Sequence, residues 1–298
     1  MVHAFGYVTV NVAIAASADF LDLDDGWPAL RFALLAAGLQ PRVAVWDDPS
    51  VDWSHFDLVA AMYTWGYVTR RAAFLAWAER VEAVTRLVNS ASHLGWSSDK
   101  TYLADLAAIG VPVVPTAWVR LDEPWCPPAE DYVIKPTVAS GGLGAARYRT
   151  SGREVADRHV RRLNLAGYTA MIQPYQHSID TAGETALVFL GDRFSHAVNK
   201  SALLAADVGE VERLWERAVI TTIEPSPAYQ QLAETVMAAV VTKLGPTAYA
   251  RVDLAEDDDG RPQVLEVELV EPSLFLETDD GSGQRLAASL QPLAERSV

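Results

Sequence analysis

Residues 249–275, YARVDLAEDDDGRPQVLEVELVEPSLF, decide which fold we expect for this chain. The runs 249–254 and 263–270 are rich in residues that favour β-strands. Between them, the sequence DDG at 258–260 offers the Asp-Gly pair that reverses a hairpin with positive φ. The stretch therefore predicts two antiparallel strands joined by an acidic turn.

Three carboxylates, those of Asp253, Glu266 and Glu268, stand among the apolar residues of these strands. The two-residue period of a strand places Glu266 and Glu268 on one face, and pairing across the hairpin can bring Asp253 close to them. Converging carboxylates raise one another's pKa unless a cation lies between them. Mg²⁺, which prefers oxygen ligands, is the simplest such cation. The solvent-exposed face of an ordinary hairpin explains the same alternation, so this stretch alone leaves both interpretations open.

The composition bounds the classes of protein to which the chain can belong. Its 298 residues, half of them apolar, are enough for one large domain or two to three small ones. No apolar run of about 18 residues and no export signal is found, so we expect a cytoplasmic protein without a membrane partner. The single cysteine, Cys126, excludes an internal disulfide and a thiolate zinc site. The net charge of −15 argues against a nucleic-acid partner.

The N-terminal part alternates strand and helix patterns, which predicts a small three-layer α/β unit with a parallel sheet. The aromatic segment YTWGY at 63–67 follows the third strand, where it could form a substrate wall or simply pack at a domain junction. We place the first domain boundary near Asn89. The predicted strands are 7–16, 42–46 and 56–62, and the predicted helices are 28–37 and 71–84.

Two lysines and a glycine-rich loop form the next candidate group. A helix capped by Ser98 or Asp99 is predicted to place Lys100 in its first turn, where the helix dipole does not favour a cation. Lys135 ends a strand at 131–136 that runs into TVASGGLG at 137–144. Such a loop lets backbone N–H groups approach phosphate oxygens, although an ordinary flexible turn and a solvated lysine explain the same residues.

A second hairpin is predicted at 185–198, with the turn at Gly191-Asp192. Glu184 and Lys200 flank its two open ends, so they either share one site or form a plain cross-strand ion pair. Residues 201–224 are predicted to hold a loop and a short helix, and a helix is predicted over 227–244 before the acidic hairpin.

The order of these motifs resembles the ATP-grasp ligases, in which two α+β lobes hold ATP between them. The resemblance covers residues 89–285. It implies an ATP-grasp fold of α/β and α+β class, with a Rossmann-like pre-ATP-grasp domain at 1–89, a first lobe with a glycine-rich flap at 90–176, and a second lobe with the Mg²⁺-binding hairpin at 177–298.

The resemblance also implies a role for each motif residue. Lys100 and Lys135 would contact the ATP phosphates, and Lys200 would lie near the γ-phosphate. Arg251 would steady the transferred phosphoryl group or the substrate carboxylate. The flap would consist of Ser140, Gly141, Gly142 and Gly144, and the hinge that reads adenine would consist of Gln173, Pro174 and Tyr175. Glu184 would bind the ribose. Two Mg²⁺ ions, which Mn²⁺ could replace, would be bound by Asp253, Glu266 and Glu268.

One departure from the family pattern concerns the metal site, because Glu268 stands where the last metal ligand is usually Asn. The loop after Lys200 also echoes the substrate loop of the family only loosely, so no substrate residue is assigned there.

The segments at 89–116, 195–200 and 250–276 resemble most the branch of glutathione synthetase and the ribosomal-protein glutamate ligase, which includes the cyclo-ligase that closes O-ureidoserine to cycloserine. This resemblance implies a ligase of bacterial specialised metabolism, commonly a homodimer. It would phosphorylate the carboxylate of an amino-acid-like substrate to an acylphosphate and join it to an amine-type nucleophile in the same or another molecule. An ATP-dependent kinase of small molecules and a non-catalytic nucleotide-binding protein remain as alternatives.

Overall fold

The computed structural model describes residues 10–204, 209, 211 and 218–294, whose strands form three sheets. The first sheet is parallel, with the strand order β2-β1-β3-β4. Its strands and helices are β1 (Val10–Ala16), α1 (Trp27–Ala36), β2 (Leu39–Val45), β3 (Leu58–Tyr63), α2 (Arg71–Glu82) and β4 (Arg86–Val88).

The two helices cover opposite faces of this sheet, because alternate residues of β1 belong to different clusters. Val12 and Ile14 pack with α1, whereas Ala13 and Ala15 pack with α2. Every residue of β3 is buried, as expected for a strand covered on both faces. The predicted three-layer α/β unit is therefore confirmed, although β2 begins three residues before the predicted strand.

Two short helices lead into the second sheet, α3 (Ala91–Ser97) and α4 (Tyr102–Ala108). Lys100 lies in the turn between them rather than in the first turn of a helix, so that prediction is wrong by two residues. The second sheet is antiparallel, with the order β5-β8-β6-β7, and its helix α5 covers one face. These elements are β5 (Ala117–Val119), β6 (Tyr132–Pro136), β7 (Ala146–Tyr148), α5 (Arg153–Leu165) and β8 (Ala170–Pro174).

The third sheet is also antiparallel, with the order β11-β10-β9-β12-β13. Residues 232–240 of its helix pack on the strands, forming a large apolar cluster. The chain runs from the second sheet through α6 (Ile179–Ala182), β9 (Glu184–Leu190), β10 (Arg193–Lys200), β11 (Ile220–Ile223), α7 (Pro227–Leu244), β12 (Tyr249–Glu256) and β13 (Pro262–Glu268).

The C-terminal helix α8 (Ser282–Ala294) returns to the first sheet and packs on α1. Helix α7 has the predicted bounds, and the predicted hairpin of residues 249–270 is present. In the segment predicted to hold a loop and a short helix, 201–224, residues 205–208, 210 and 212–217 lie outside the described residues, and the end of the segment forms β11. The domain division at residues 89 and 176 stays a prediction.

Candidate active site

The β12–β13 hairpin brings the three predicted carboxylates together. Asp253 pairs with Glu266, and Arg251 pairs with Glu268 two residues away. One oxygen from each of Asp253, Glu266 and Glu268 lies within 4.8 Å of the others. Asp253 is 2% exposed, and the side chains of Glu266 and Glu268 are 24% exposed, so these acids do not form the solvated face of an ordinary hairpin. The alternation of acids with apolar residues therefore builds a charged cluster beneath the surface.

Cations from three parts of the chain contact these carboxylates. The Arg251 guanidinium donates to Asp253 with an Nε–Oδ1 distance of 2.8 Å, and to Glu268 with an Nη2–Oε1 distance of 2.5 Å. The Lys200 Nζ lies 2.7 Å from Asp253 Oδ2. The Lys100 Nζ lies 2.9 Å from Glu266 Oε1. Positive charge therefore surrounds the carboxylate cluster on several sides.

The pKa values of the acids differ according to this pairing. Burial raises the pKa of Asp253, but Arg251 and Lys200 outweigh it and hold the pKa below its ordinary value. The pKa of Glu266 is also lowered, because Lys100 and Lys135 offset its burial. Burial raises the pKa of Glu268, which Arg251 offsets only in part beside two other acids. Glu268 is thus the least well compensated of the three acids, and the oxygen donors of the cluster suit a hard divalent cation.

The hairpin of β9 and β10 adds one more acid to this cluster. Glu184 and Lys200 are Cα partners at its open end, and Lys200 Nζ lies 2.9 Å from Glu184 Oε2. Gly183, with φ of +71°, permits this approach, since a Cβ there would lie 2.5 Å from Lys200 O. Lys200 also contacts Asp253, so the pair belongs to a larger network and is not a plain cross-strand ion pair.

Lys100 and Lys135 approach the cluster from the side of the second sheet. Lys100 is tied to the glycine-rich loop, because its Nζ donates to Ala139 O at 2.7 Å and its backbone N–H donates to Thr137 O. Within the described part of the chain, the Lys135 ammonium forms neither a hydrogen bond nor an ion pair, and burial lowers its pKa. An unmatched ammonium beside a charged cluster is well suited to bind an anion.

The predicted flap follows β6 as a series of turns. Gly141, Gly142 and Gly144 have φ of +57°, +75° and +73°, a region that residues with a Cβ rarely adopt. Ser140 begins this loop, and the backbone N–H of Gly144 donates to Val211 O at 2.9 Å. The glycines therefore give the loop its turns, and the role of the loop as a phosphate-binding flap stays a prediction.

The predicted hinge connects the second and third sheets. Gln173 and Pro174 end β8, and the backbone N–H of Tyr175 donates to Asp131 O at 2.8 Å. Gln173 is 3% exposed, and its side chain donates to Thr116 at 2.8 Å. The side chain of Gln173 and the backbone N–H of Tyr175 are thus bonded within the protein, and the role of this segment in reading adenine stays a prediction.

Glu271 is a buried carboxylate, like Asp253, that sequence reasoning missed, although it lies within the stretch that decides the fold. It is 6% exposed, and burial together with Glu268 raises its pKa to about 8. Lys100 and a hydrogen bond from Ser140 oppose this shift only in part. The spacing Glu-x-Glu-x-x-Glu-Pro at 266–272 could have indicated this third acid. It was missed because it follows the strand and does not share the two-residue period of Glu266 and Glu268.

The aromatic segment at 63–67 serves packing at the junction between sheets. Trp65 and Tyr67 are 4% and 3% exposed. Tyr67 stacks on Phe74 with ring centroids 4.7 Å apart, and Trp65 Nε1 donates to Glu271 O at 2.9 Å. This segment therefore holds the backbone of residue 271 in place and offers little surface to a substrate.

Comparisons with known proteins agree with this fold. A family model described as the N-terminal domain of D-cycloserine synthetase DcsG matches residues 12–89. The cycloserine biosynthesis protein DcsG of Streptomyces lavendulae is 40% identical over 299 residues, covering 96% of this chain and 98% of that protein. The crystal structure of D-cycloserine synthetase DcsG matches with a TM-score of 0.89 at 36% identity, covering 96% of this chain and 100% of that one.

A more distant solved structure shares the fold alone. The ATP-grasp ligase PsnB, complexed with minimal precursor, Mg and ADP, matches with a TM-score of 0.60 at 20% identity, covering 96% of this chain and 98% of that one. The predicted ATP-grasp fold is thus confirmed, and none of the described helices is long and apolar enough to cross a membrane. Because 40% identity extends over nearly the full length of both chains, this chain belongs to the D-cycloserine synthetase family of ATP-grasp enzymes and is an ADP-forming carbon–nitrogen ligase.

Proposed function

We propose that this enzyme closes O-ureidoserine to cycloserine at the expense of ATP, as an intramolecular ligase. The identity to the cycloserine biosynthesis protein DcsG, 40% over nearly both whole chains, is the observation that carries this proposal. The same identity favours a ligase over a kinase or a silent nucleotide-binding protein. The substrate would be a small amino-acid-like molecule in bacterial antibiotic biosynthesis.

ATP would bind in a cleft between the second and third sheets. Its phosphates would lie at the end of this cleft where Lys135 has no described ion pair. Lys135, which has no partner among the described residues, and Lys100 would contact the phosphates under the glycine-rich loop. The backbone of residues 173–175 would read adenine, and Glu184 would accept from the ribose hydroxyls. The ion pairs of Lys100 with Glu266 and of Lys200 with Glu184 and Asp253 support the proposal, because they bring residues of the second and third sheets together.

Asp253, Glu266 and Glu268 would hold Mg²⁺, two ions in the family pattern, with Mn²⁺ as a substitute. Their oxygens lie within 4.8 Å of one another, and burial raises the pKa of Glu268 beside the two other acids, an effect that a bound cation would offset. When bound, the metal supplies a charge that binds the nucleotide and neutralises phosphoryl oxygens. Arg251 and Lys200, which border the same acids, would then neutralise the transferred phosphoryl group.

The chemistry needs no nucleophile from the protein. A carboxylate does not react with a neutral nitrogen nucleophile until one oxygen becomes a leaving group, so the γ-phosphoryl would first pass to the substrate carboxylate. The nitrogen would then attack the acylphosphate carbon, forming the C–N bond while the C–O bond to phosphate breaks and the nitrogen loses its proton to solvent. The carbamoyl group that this nitrogen carries would then be hydrolysed, so that its C–N bond breaks and carbon dioxide and ammonia leave. The closed glycine-rich loop would exclude water from the acylphosphate in the meantime.

We also propose that the enzyme is a cytoplasmic homodimer without nucleic-acid or membrane partners. The net charge of −15 supports the absence of a nucleic-acid partner, since phosphate backbones require a basic surface. Sedimentation of the purified chain would test the oligomeric state.

Release of ADP and phosphate with ATP and Mg²⁺ tests the reaction. We expect O-ureidoserine alone to stimulate both products in equal amounts and to yield a cyclic product by mass spectrometry. Each amino acid of a panel, tested alone and with an added amine, serves as the control for an intermolecular ligase. Turnover only with two substrates would refute the intramolecular reaction, and ADP release without phosphate would indicate a kinase.

A further inference from the structure

Arg147 lies in the middle of β7, on the face of the second sheet that α5 leaves open. Its neighbours Ala146 and Tyr148 pack in the cluster beneath α5. Successive side chains of a strand point to opposite faces, so Arg147 lies on the other face. Val133, its partner on β6, belongs to an apolar cluster with Tyr175 and with Ala255 of the third sheet. Arg147 is therefore on the cleft side of the sheet, next to the proposed hinge.

Arg147 is 9% exposed, and its guanidinium forms ion pairs with two carboxylates. Its Nη2 lies 3.0 Å from Asp131 Oδ2, and its Nη1 lies 3.0 Å from Asp180 Oδ2. The guanidinium carbon also lies 3.6 Å from the centroid of the Tyr175 ring, and the Tyr175 hydroxyl donates to Asp180 at 2.5 Å. A planar guanidinium is suited to such combined stacking and bidentate bonding.

These contacts join the two sides of the hinge. Asp131 and Arg147 belong to the second sheet, whereas Asp180 lies in α6, beyond the hinge. Helix α6 is attached to the third sheet, because Ser178 Oγ donates to Glu256 O at 2.8 Å. Asp131 also accepts the backbone N–H of Tyr175 through its carbonyl oxygen. The network thus fixes the side chain and the backbone of Tyr175 from both sheets.

We propose that Arg147 is a positioning residue for ATP, which holds the hinge in the shape that binds the adenine end of the nucleotide. This inference rests on the proposed nucleotide site. Removing Arg147 leaves the lysines and carboxylates of the phosphate end untouched, so the chemical step should proceed normally once ATP is bound. The loss should therefore appear in the affinity for ATP and not in kcat.

The test compares Arg147→Ala and Arg147→Lys with the matched control Arg153→Ala. Arg153 also bonds a carboxylate, that of Asp157, and its guanidinium carbon lies 4.3 Å from the centroid of the Trp125 ring, but it lies on α5, away from the hinge. We would measure the Kd of ATP by calorimetry, KM for ATP and kcat from ADP release, and the melting temperature of each variant.

We expect Arg147→Ala to raise the Kd and KM of ATP about tenfold, the effect of losing one charge-assisted hydrogen bond, with kcat changed less than about twofold. Arg147→Lys should fall between, and Arg153→Ala should match the wild type. If Arg147→Ala does not fold, Asp180→Asn should raise KM by a smaller factor. Unchanged Kd and KM in the Arg147 variants, an equal rise in Arg153→Ala, or a loss confined to kcat would overturn the proposal. A wild type that does not bind ATP would instead refute the proposed function.

Discussion

Buried charged groups are paired at the hinge end of the cleft but are incompletely paired at the hairpin end. At the hinge end, Arg147 is matched by two carboxylates and the Tyr175 ring. At the hairpin end, the structure describes no ion pair of Lys135, and Glu271 keeps a raised pKa. A matched network is complete without a ligand, whereas unmatched buried charges destabilise the protein until a ligand compensates them. Unmatched charge therefore distinguishes the proposed reacting end from the end that we propose only positions the nucleotide.

We expect the largest loss of activity from replacing a carboxylate at the hairpin end. We expect Asp253→Asn to reduce ADP release by more than about a thousandfold, because it removes a charge that the proposed metal and the Arg251 and Lys200 cations all require. The fold should remain, since the amide can still accept from both cations. Steady-state kinetics and circular dichroism would measure both effects.

The matched control for this variant is Asp259→Asn, at the exposed turn of the same hairpin. Its turnover should equal that of the wild type. Substantial turnover in a folded Asp253→Asn enzyme would contradict the assignment of the carboxylate cluster.

Lys135 offers a sharper separation of function from stability. We expect Lys135→Met to lower turnover by more than about a hundredfold, because the phosphates lose a cation. The same variant should gain about 1 kcal/mol in the free energy of unfolding, since a half-buried ammonium without a described partner is replaced by an apolar chain. Urea denaturation and ADP release would measure the two quantities.

Lys243→Met is the control, because Lys243 is half-exposed and paired with Asp105 on the outer surface. It should change neither turnover nor stability appreciably. A Lys135→Met variant that is both inactive and less stable would show that the lysine serves the fold.

The hairpin end could be predicted from sequence because its chemistry is local. Asp253 and Glu266 are thirteen positions apart on one hairpin, so period and pairing suffice to bring them together. Lys100 could not be placed in the same way. Its contact with Glu266 depends on how α4 packs on the third sheet, where the Val267 backbone N–H donates to the Tyr102 hydroxyl.

The hinge network was not predicted, because its members come from four separate elements. Asp131, Arg147, Tyr175 and Asp180 have no shared period, and each alone is an ordinary polar or aromatic residue. The short elements α3, β5 and β7 were missed for a related reason. Segments of three to seven residues carry little pattern of their own and are stabilised by pairing with distant strands.

Glu271 tests whether unmatched acid at the hairpin end is costly. Its pKa of about 8 lies above the ordinary value of 4.5, so the native state binds more protons than the unfolded chain between these values. The stability that this group contributes is complete below pH 4.5 and is lost as the pH rises towards 8. Glu271→Gln should therefore be more stable than the wild type by about 4 kcal/mol at pH 8, with little difference at pH 4.5.

Urea denaturation at both pH values would measure this difference, with the exposed helical residue Glu82 changed to Gln as the control. A difference between Glu271→Gln and the wild type that does not grow with pH would show that the carboxylate is matched in solution.

The smallest expected effect concerns His159, a buried group behind the second sheet and outside the cleft. It is 1% exposed, and its Nδ1 lies 2.9 Å from the Tyr148 hydroxyl. Burial, together with the Arg162 charge, lowers the pKa of His159 to about 4 from 6.5, so the unfolded chain binds its proton first as the pH falls. The contribution to stability is complete above pH 6.5 and is lost as the pH falls towards 4.

His159→Gln should reduce the loss of unfolding free energy between pH 7 and 4.5 by about 2 kcal/mol relative to the wild type, whereas the exposed His55→Gln should not. Because His159 lies on the side of the second sheet that faces away from the cleft, ATP affinity should be the same in both variants. A loss of ATP affinity in His159→Gln would show that residues on this side of the sheet also shape the nucleotide site.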